Sequence, residues 1–155
     1  MVIQEIFGVN HHIKAVTDKF AADGYLALAP RFFDHIKPGI ELGYTPDTIA
    51  EGRKYVTELG LDKPVQDVEA AIEELKRRGT KSETPKVPIQ MHFGDKDMHI
   101  PMTHVNELRQ LHPGVTIYDY PADHGFHCDE RGSYDATASK LAYGRTLEFF
   151  AKHLA

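Results

Sequence analysis

The chain has 155 residues, an ordinary apolar share of 41% and a formal net charge of −5. That length fits one domain with a sizeable core, and interspersed charges of both signs exclude a disordered chain. The negative balance argues against nucleic acid or an anionic membrane as a partner. The one basic run, Lys76-Arg77-Arg78, falls in the last turn of a predicted helix, where it complements the helix dipole. No apolar stretch approaches the roughly 20 residues of a membrane span, and no signal peptide is legible. The single cysteine, Cys128, excludes an internal disulfide framework. It fits a reducing compartment, the cytoplasm by default.

Val2 to Phe7 is an apolar run with the pattern of a buried strand, ended by Gly8. Asn10 is placed to cap a helix carrying Ile13, Val16 and Phe20, which Gly24 ends. Tyr25 to Pro30 is a short continuous apolar run, as a strand buried on both faces should be. Arg31 to Tyr44, with Pro38, Gly39 and Gly43, is a loop. Thr45-Pro46 starts a helix reaching about Leu59. Asp62 caps the next, whose stripe is Val65, Val68, Ile72 and Leu75 and whose end is Gly79. Ile89–Phe93 is a strand, Met102–Leu111 a helix with Val105, Leu108 and Leu111 inward, and Thr116–Tyr120 a strand. A last helix runs from about Asp135 to His153, with Tyr143, Leu147, Phe150 and Leu154 on one face. Strands alternating with helices predict an α/β three-layer sandwich with a mainly parallel sheet.

Two post-strand loops concentrate the chemistry. Gly94-Asp95-Lys96-Asp97-Met98-His99-Ile100-Pro101 puts carboxylates past one strand, and Ala122-Asp123-His124-Gly125-Phe126 puts a histidine past the next. Acid then histidine is the closing order of the Ser/Cys…Asp…His arrangement. The nucleophile turn G-x-S-x-G or G-x-C-x-G occurs nowhere. Glu5 stands out separately, since a glutamate in an apolar strand is costly unless paired. On the residues alone, Asp95 and Asp97 also fit ordinary turn carboxylates, and His124 a plain loop histidine.

The stretches QEIFGVN (from Gln4), DGYLALAPRFF (from Asp23), DVEAAIEEL (from Asp67), GDKDMHIP, YPADHGF (from Tyr120) and RTLEFFAKHL (from Arg145) together resemble the dienelactone hydrolase family, in its order. The resemblance covers nearly the whole chain. It implies a hydrolase of carboxylic esters or lactones on an α/β-hydrolase fold, without a cofactor. Residue by residue it implies Asp97 as the orienting acid and His124 as the general base. Glu5 would contact the nucleophile, and the backbone N–H of Ile6 would be one oxyanion-hole donor. Against the family pattern, N-terminal strands are missing. The nucleophile elbow, with its flanking strands and helix, is also missing from an interval near residues 79–88. The expectation is a single domain, 1–155, internally deleted there, with no nucleophile and low or no turnover.

Without the elbow strand, Val2–Phe7 would have an open edge. Ile89–Phe93 could occupy the vacancy, giving the order Tyr25–Ala29, Val2–Phe7, Ile89–Phe93, Thr116–Tyr120. Glu5, Asp97 and His124 would then share the crevice where the order reverses.

Other nucleophiles are poorly placed. Cys128 lies on the histidine loop with no evident means of lowering its pKa. Ser82, Ser133 and Ser139 sit in linker or helix-start positions, and Gly39–Gly43 mimics an elbow with Glu41 at its centre. Two further classes stay open. One is a metal site, because His124, His127, Cys128 and Asp129 crowd one loop beside His99, among ten histidines. The other is a non-catalytic module that self-associates through exposed sheet edges. Residues that bind the substrate carboxylate are not identifiable, as Arg53 and Arg131 do not match the family positions.

Overall fold

The computed structural model describes residues 1–79 and 88–154. They form two compact units, Met1–Ser82 and Glu83–Ala155. The interval expected to hold the deletion, and Ser82 with it, lies largely outside the described residues.

The first unit is built on helices. Helix α1, His11–Ala22, starts because the Asn10 Oδ1 accepts the Ile13 N–H at 3.2 Å. The Asn10 Nδ2 also donates to the Leu42 carbonyl at 2.9 Å, tying the helix start to a distant loop. Gly24, at φ 93°, lets the chain turn away after α1. Inside the predicted loop lies a 3₁₀ turn, Phe32–His35, that buries Phe32 and Phe33. Helix α2, Pro46–Leu59, begins with a capping box in which Thr45 and Thr48 each accept the other's backbone N–H.

Helix α3, Asp62–Arg77, has Leu61 as its cap, so Asp62 is the first helical residue. Its expected apolar stripe is corrected in part. Val65 and Ile72 are 56% and 37% exposed, while Val68 and Leu75 are half-buried and Ala71 is buried. His35 Nε2 of the 3₁₀ turn meets Asp67 Oδ2 of α3 at 2.8 Å. The basic run at its end is paired locally, Lys76 with Glu73 and both Arg77 and Arg78 with Glu74.

The four-stranded sheet is also corrected. Among the described residues the sheet has two strands, and neither Val2–Phe7 nor Tyr25–Pro30 is one of them. The Val2 N–H reaches the Leu28 carbonyl at 2.8 Å, and the Phe7 carbonyl accepts from Leu42 N–H at 2.8 Å. Gly8 forms isolated bridges with Glu5 and Glu41. These contacts go to partners far apart in the chain, so no ladder builds up. Apolar β-type residues make a segment suited to a sheet, but a strand exists only where a neighbour supplies successive hydrogen bonds.

The second unit holds the parallel pair β1, Gln90–Gly94, and β2, Thr116–Tyr120, joined through α4, Met102–Leu111. Val105 is fully buried, whereas Leu111, expected inward, is the last residue of the helix and 65% exposed. Helix α5, Ala136–His153, is capped by the Asp135 Oδ1, which accepts the Ala138 N–H at 2.8 Å. Its small residues Ala138 and Ala142 let it pack closely on Tyr120, Ala122 and Phe126, the core of this unit. Leu154, expected on the buried face, is exposed. Helices with a parallel sheet place the chain in the α/β class.

Candidate active site

Parallel pairing decides where the two chemical loops emerge. Gly94 lies opposite Tyr120, the last residues of β1 and β2, so both loops leave the same end of the sheet. The loops are then laced together. The Asp95 N–H donates to the Tyr120 carbonyl at 2.8 Å and the Lys96 N–H to the Ala122 carbonyl at 3.1 Å. Gly94 permits this approach, because a methyl group there would overlap the Ala122 carbonyl oxygen.

Three residues past β1, Asp97 is 7% exposed and has its hydrogen bonds satisfied. Its Oδ1 accepts the N–H groups of His99 at 2.7 Å and Ile100 at 2.9 Å. Its Oδ2 meets His124 Nδ1 at 2.8 Å. Burial pushes the Asp97 carboxyl upward. The hydrogen bonds from His124, Ile100 and His99, with the attraction of His124, outweigh it and hold the group below its ordinary value. Asp97 is therefore an anion aimed at an imidazole.

A carboxylate can only accept, so Nδ1 of His124 carries a proton, and in the neutral imidazole the lone pair falls on Nε2. The His124 side chain is 39% exposed. Its backbone is held at both ends: the N–H donates to Asp123 Oδ1 at 2.6 Å, and the carbonyl accepts from Ser133 Oγ at 2.6 Å. Gly125 follows at φ 74°, with the Arg131 guanidinium packed where a side chain would be. The His99 ring stands edge to face against His124, centroids 5.0 Å apart.

The structure thus brings Asp97 and His124 together in the second unit. Glu5 and Ile6 belong to the first. There Glu5 is half-buried, and its Oε2 accepts from Tyr44 Oη at 2.9 Å, a partner with no signal in the sequence. Tyr44 is itself held edge-on by Phe7, centroids 4.5 Å apart. The Ile6 carbonyl packs against Gly52 of α2, where a methyl group would overlap it.

The other candidates are accounted for by structural contacts. Cys128 is buried at 4% exposure. Ser139 Oγ lies 2.8 Å from His127 Nδ1, and His127 stacks on Tyr143. Ser133 is spent on the His124 carbonyl. Glu41, centre of the elbow mimic, pairs with Lys14 and Arg31. Among the described residues, no three His, Cys, Asp or Glu side chains converge to hold a metal ion. Asp95 is exposed and serves through its backbone.

The family model described as the dienelactone hydrolase family matches in two segments, residues 1–84 and 76–154. A protein of Synechocystis sp. provisionally named carboxymethylenebutenolidase is 30% identical over 210 positions, covering 99% of this chain and 85% of the relative. One of Azospirillum brasilense, with the same provisional name, is 28% identical over 204 positions, covering 99% and 87%. In fold, the chain is similar to the crystal structure of a provisionally named dienelactone hydrolase from Klebsiella pneumoniae. The TM-score is 0.82 at 24% identity, over 98% of this chain and 85% of that one. With matched segments running almost end to end, the chain belongs to the dienelactone hydrolase family, a family of ester- and lactone-cleaving α/β enzymes.

Proposed function

We propose that the chain carries the acid–base half of an ester- or lactone-hydrolysing centre and, lacking a nucleophile, turns over little or no substrate. The 2.8 Å contact between Asp97 Oδ2 and His124 Nδ1 carries this reading. Asp97 fixes the tautomer and stabilises the imidazolium that forms, leaving Nε2 to take a proton. In this reading Glu5 and the Ile6 N–H keep the roles that go with the family, contact to the nucleophile and oxyanion stabilisation. Both are idle without an attacking group. His124 can then activate only water.

An internal deletion near 79–88 in a single domain accounts for the missing elbow. Two observations support it: alignments of 210 and 204 positions against a chain of 155 residues, and a family match broken into two pieces there. The substrate class is a small ester or lactone, of the kind the relatives' name denotes. No helix among the described residues is long and apolar enough to cross a membrane. The cytoplasm remains the compartment that a single buried cysteine fits.

The decisive experiment is p-nitrophenyl acetate hydrolysis with His124→Ala as control. The expected rate is lower than that of an intact centre by a factor on the order of 10⁴ or more. Strong turnover lost in His124→Ala would overturn the prediction of inertness, and its loss in Cys128→Ser as well would make Cys128 the nucleophile. A self-associating module is the second reading, favoured by β1 having one strand neighbour among the described residues and by Ile89 at 48% exposure. Sedimentation showing only monomer across a concentration series would remove it.

A further inference from the structure

At the amino end of the sheet, the second unit contains a cleft of about 360 Å³ between the strand starts and the last turns of α5. Its lining includes Gln90 and Tyr118 from the strands and Arg145, Glu148, Phe149 and Lys152 from the helix. The Arg145 Cζ lies over the Tyr118 ring, 4.0 Å from its centroid, and 5.3 Å from that of Tyr120. Attraction to an aromatic face uses none of the guanidinium N–H donors.

No carboxylate among the described residues forms an ion pair with Arg145. Glu148 is one helical turn away and lines the same cleft, yet it bridges to neither Arg145 nor Lys152. A half-buried cation with an unused planar fork is favourable for an external anion. Its charge is also felt inside the unit. His92 is pushed down to about 4, by burial first and then by Arg145 and His127. The ring of His92 stacks between Tyr118 and Tyr120, so it is a natural reporter of the cleft.

We propose that this cleft binds a small organic carboxylate, with its two oxygens on the Arg145 fork, Lys152 adding attraction, and its apolar body against Phe149. A planar two-oxygen anion matches the fork bidentately, and the apolar wall selects an organic anion over inorganic phosphate. The volume lies within the range of small-ligand pockets. The site is independent of the hydrolase reading and lies at the opposite end of β1 and β2 from Asp97 and His124.

The test is titration of the full chain with sodium benzoate, followed by calorimetry and by NMR of the His92 ring. Sodium phosphate and benzyl alcohol are the comparison probes. Benzoate should saturate and shift the His92 signals, whereas phosphate and benzyl alcohol should bind at least about tenfold more weakly. Arg145→Gln should weaken benzoate about tenfold or more, and Lys152→Gln, at an exposed position, about threefold. Lys152→Gln and the neutral probe keep the test decisive if Arg145→Gln fails to fold. The proposal is overturned by an absence of saturable benzoate binding or by benzoate affinity unchanged in both variants. Benzyl alcohol binding as tightly as benzoate, or phosphate binding better, would also overturn it.

Discussion

The two ends of the β1–β2 sheet treat charge in opposite ways. At the carboxyl end, both oxygens of Asp97 are paired, one with the His99 and Ile100 N–H groups and the other with His124. At the amino end, the Arg145 cation has aromatic faces but no carboxylate partner among the described residues. Between them sits His92, its Nδ1 2.6 Å from Tyr120 Oη and its Nε2 2.7 Å from the Gln90 amide. One strand pair therefore carries a hydrogen-bonded carboxylate–imidazole pair and a cation with no carboxylate partner among the described residues, separated by a half-buried histidine. A paired charge contributes stability that pH can remove. An unpaired one offers affinity that only a ligand can use.

The largest expected effect on stability comes from that middle histidine. His92 is neutral in the folded chain down to pH about 4, whereas an unfolded histidine takes up its proton near 6.5. Between those values the unfolded state binds more protons, so stability is full above about 6.5 and is lost as pH falls towards 4. The loss is up to about 3 kcal/mol, and nearer about 2 after solvent screening of a half-buried ring. Thermal melts of wild type and His92→Phe across pH 4 to 7 measure it. A wild-type slope identical to that of the variant would remove His92 from the comparison.

Gly94→Ala should cost about 2 kcal/mol, because the added methyl overlaps the Ala122 carbonyl and pushes the two loops apart. The same variant should broaden the hydrogen-bonded Nδ1 proton of His124, which NMR can follow. An unchanged Nδ1–H signal would show that the loops are not held in register by this contact.

Asp97→Asn should cost about 1–2 kcal/mol near neutral pH, since it replaces a charged partner of His124 by a neutral one. The sign with pH is definite. The Asp97 carboxyl is held below its ordinary value of 3.8, so its stabilisation is present above that value and disappears as pH falls below it. Urea unfolding at neutral pH and in acid should show the variant's deficit closing in acid. Smallest, Asp135→Ala should remove about 1 kcal/mol by deleting the α5 cap while leaving both ends of the sheet intact. A changed His124 signal in that variant would mean that α5 also positions the site.

Helix starts were the most legible part of the fold. Asn10, Thr45 and Asp135 mark them because a capping side chain bonds a backbone N–H only three residues on. The pair β1 and β2 was equally readable, and so was the family, two of whose motifs lie in the loops that follow those strands. The contact between Asp97 and His124 was expected from the order of those motifs. Its distance depended on the register of β1 and β2 and on the space at Gly94.

What failed to transfer was set by distant partners that no motif marks. Val2–Phe7 and Tyr25–Pro30 have strand-forming residues, but ladder bonds come from neighbours that residue pattern cannot name. On α3, Val65 and Ile72 of the apolar stripe stayed exposed, and the His35–Asp67 contact formed across 32 residues, which the residue pattern does not show. Tyr44 on Glu5 and the Arg145 cleft likewise have no local signature, because each joins side chains remote in the chain. The sequence by itself determined the class and the family and singled out Asp97 and His124 as candidates, since propensity, capping and motif spacing are local. Tertiary structure alone decided which charges are paired and which remain available, because pairing depends on distances that packing sets.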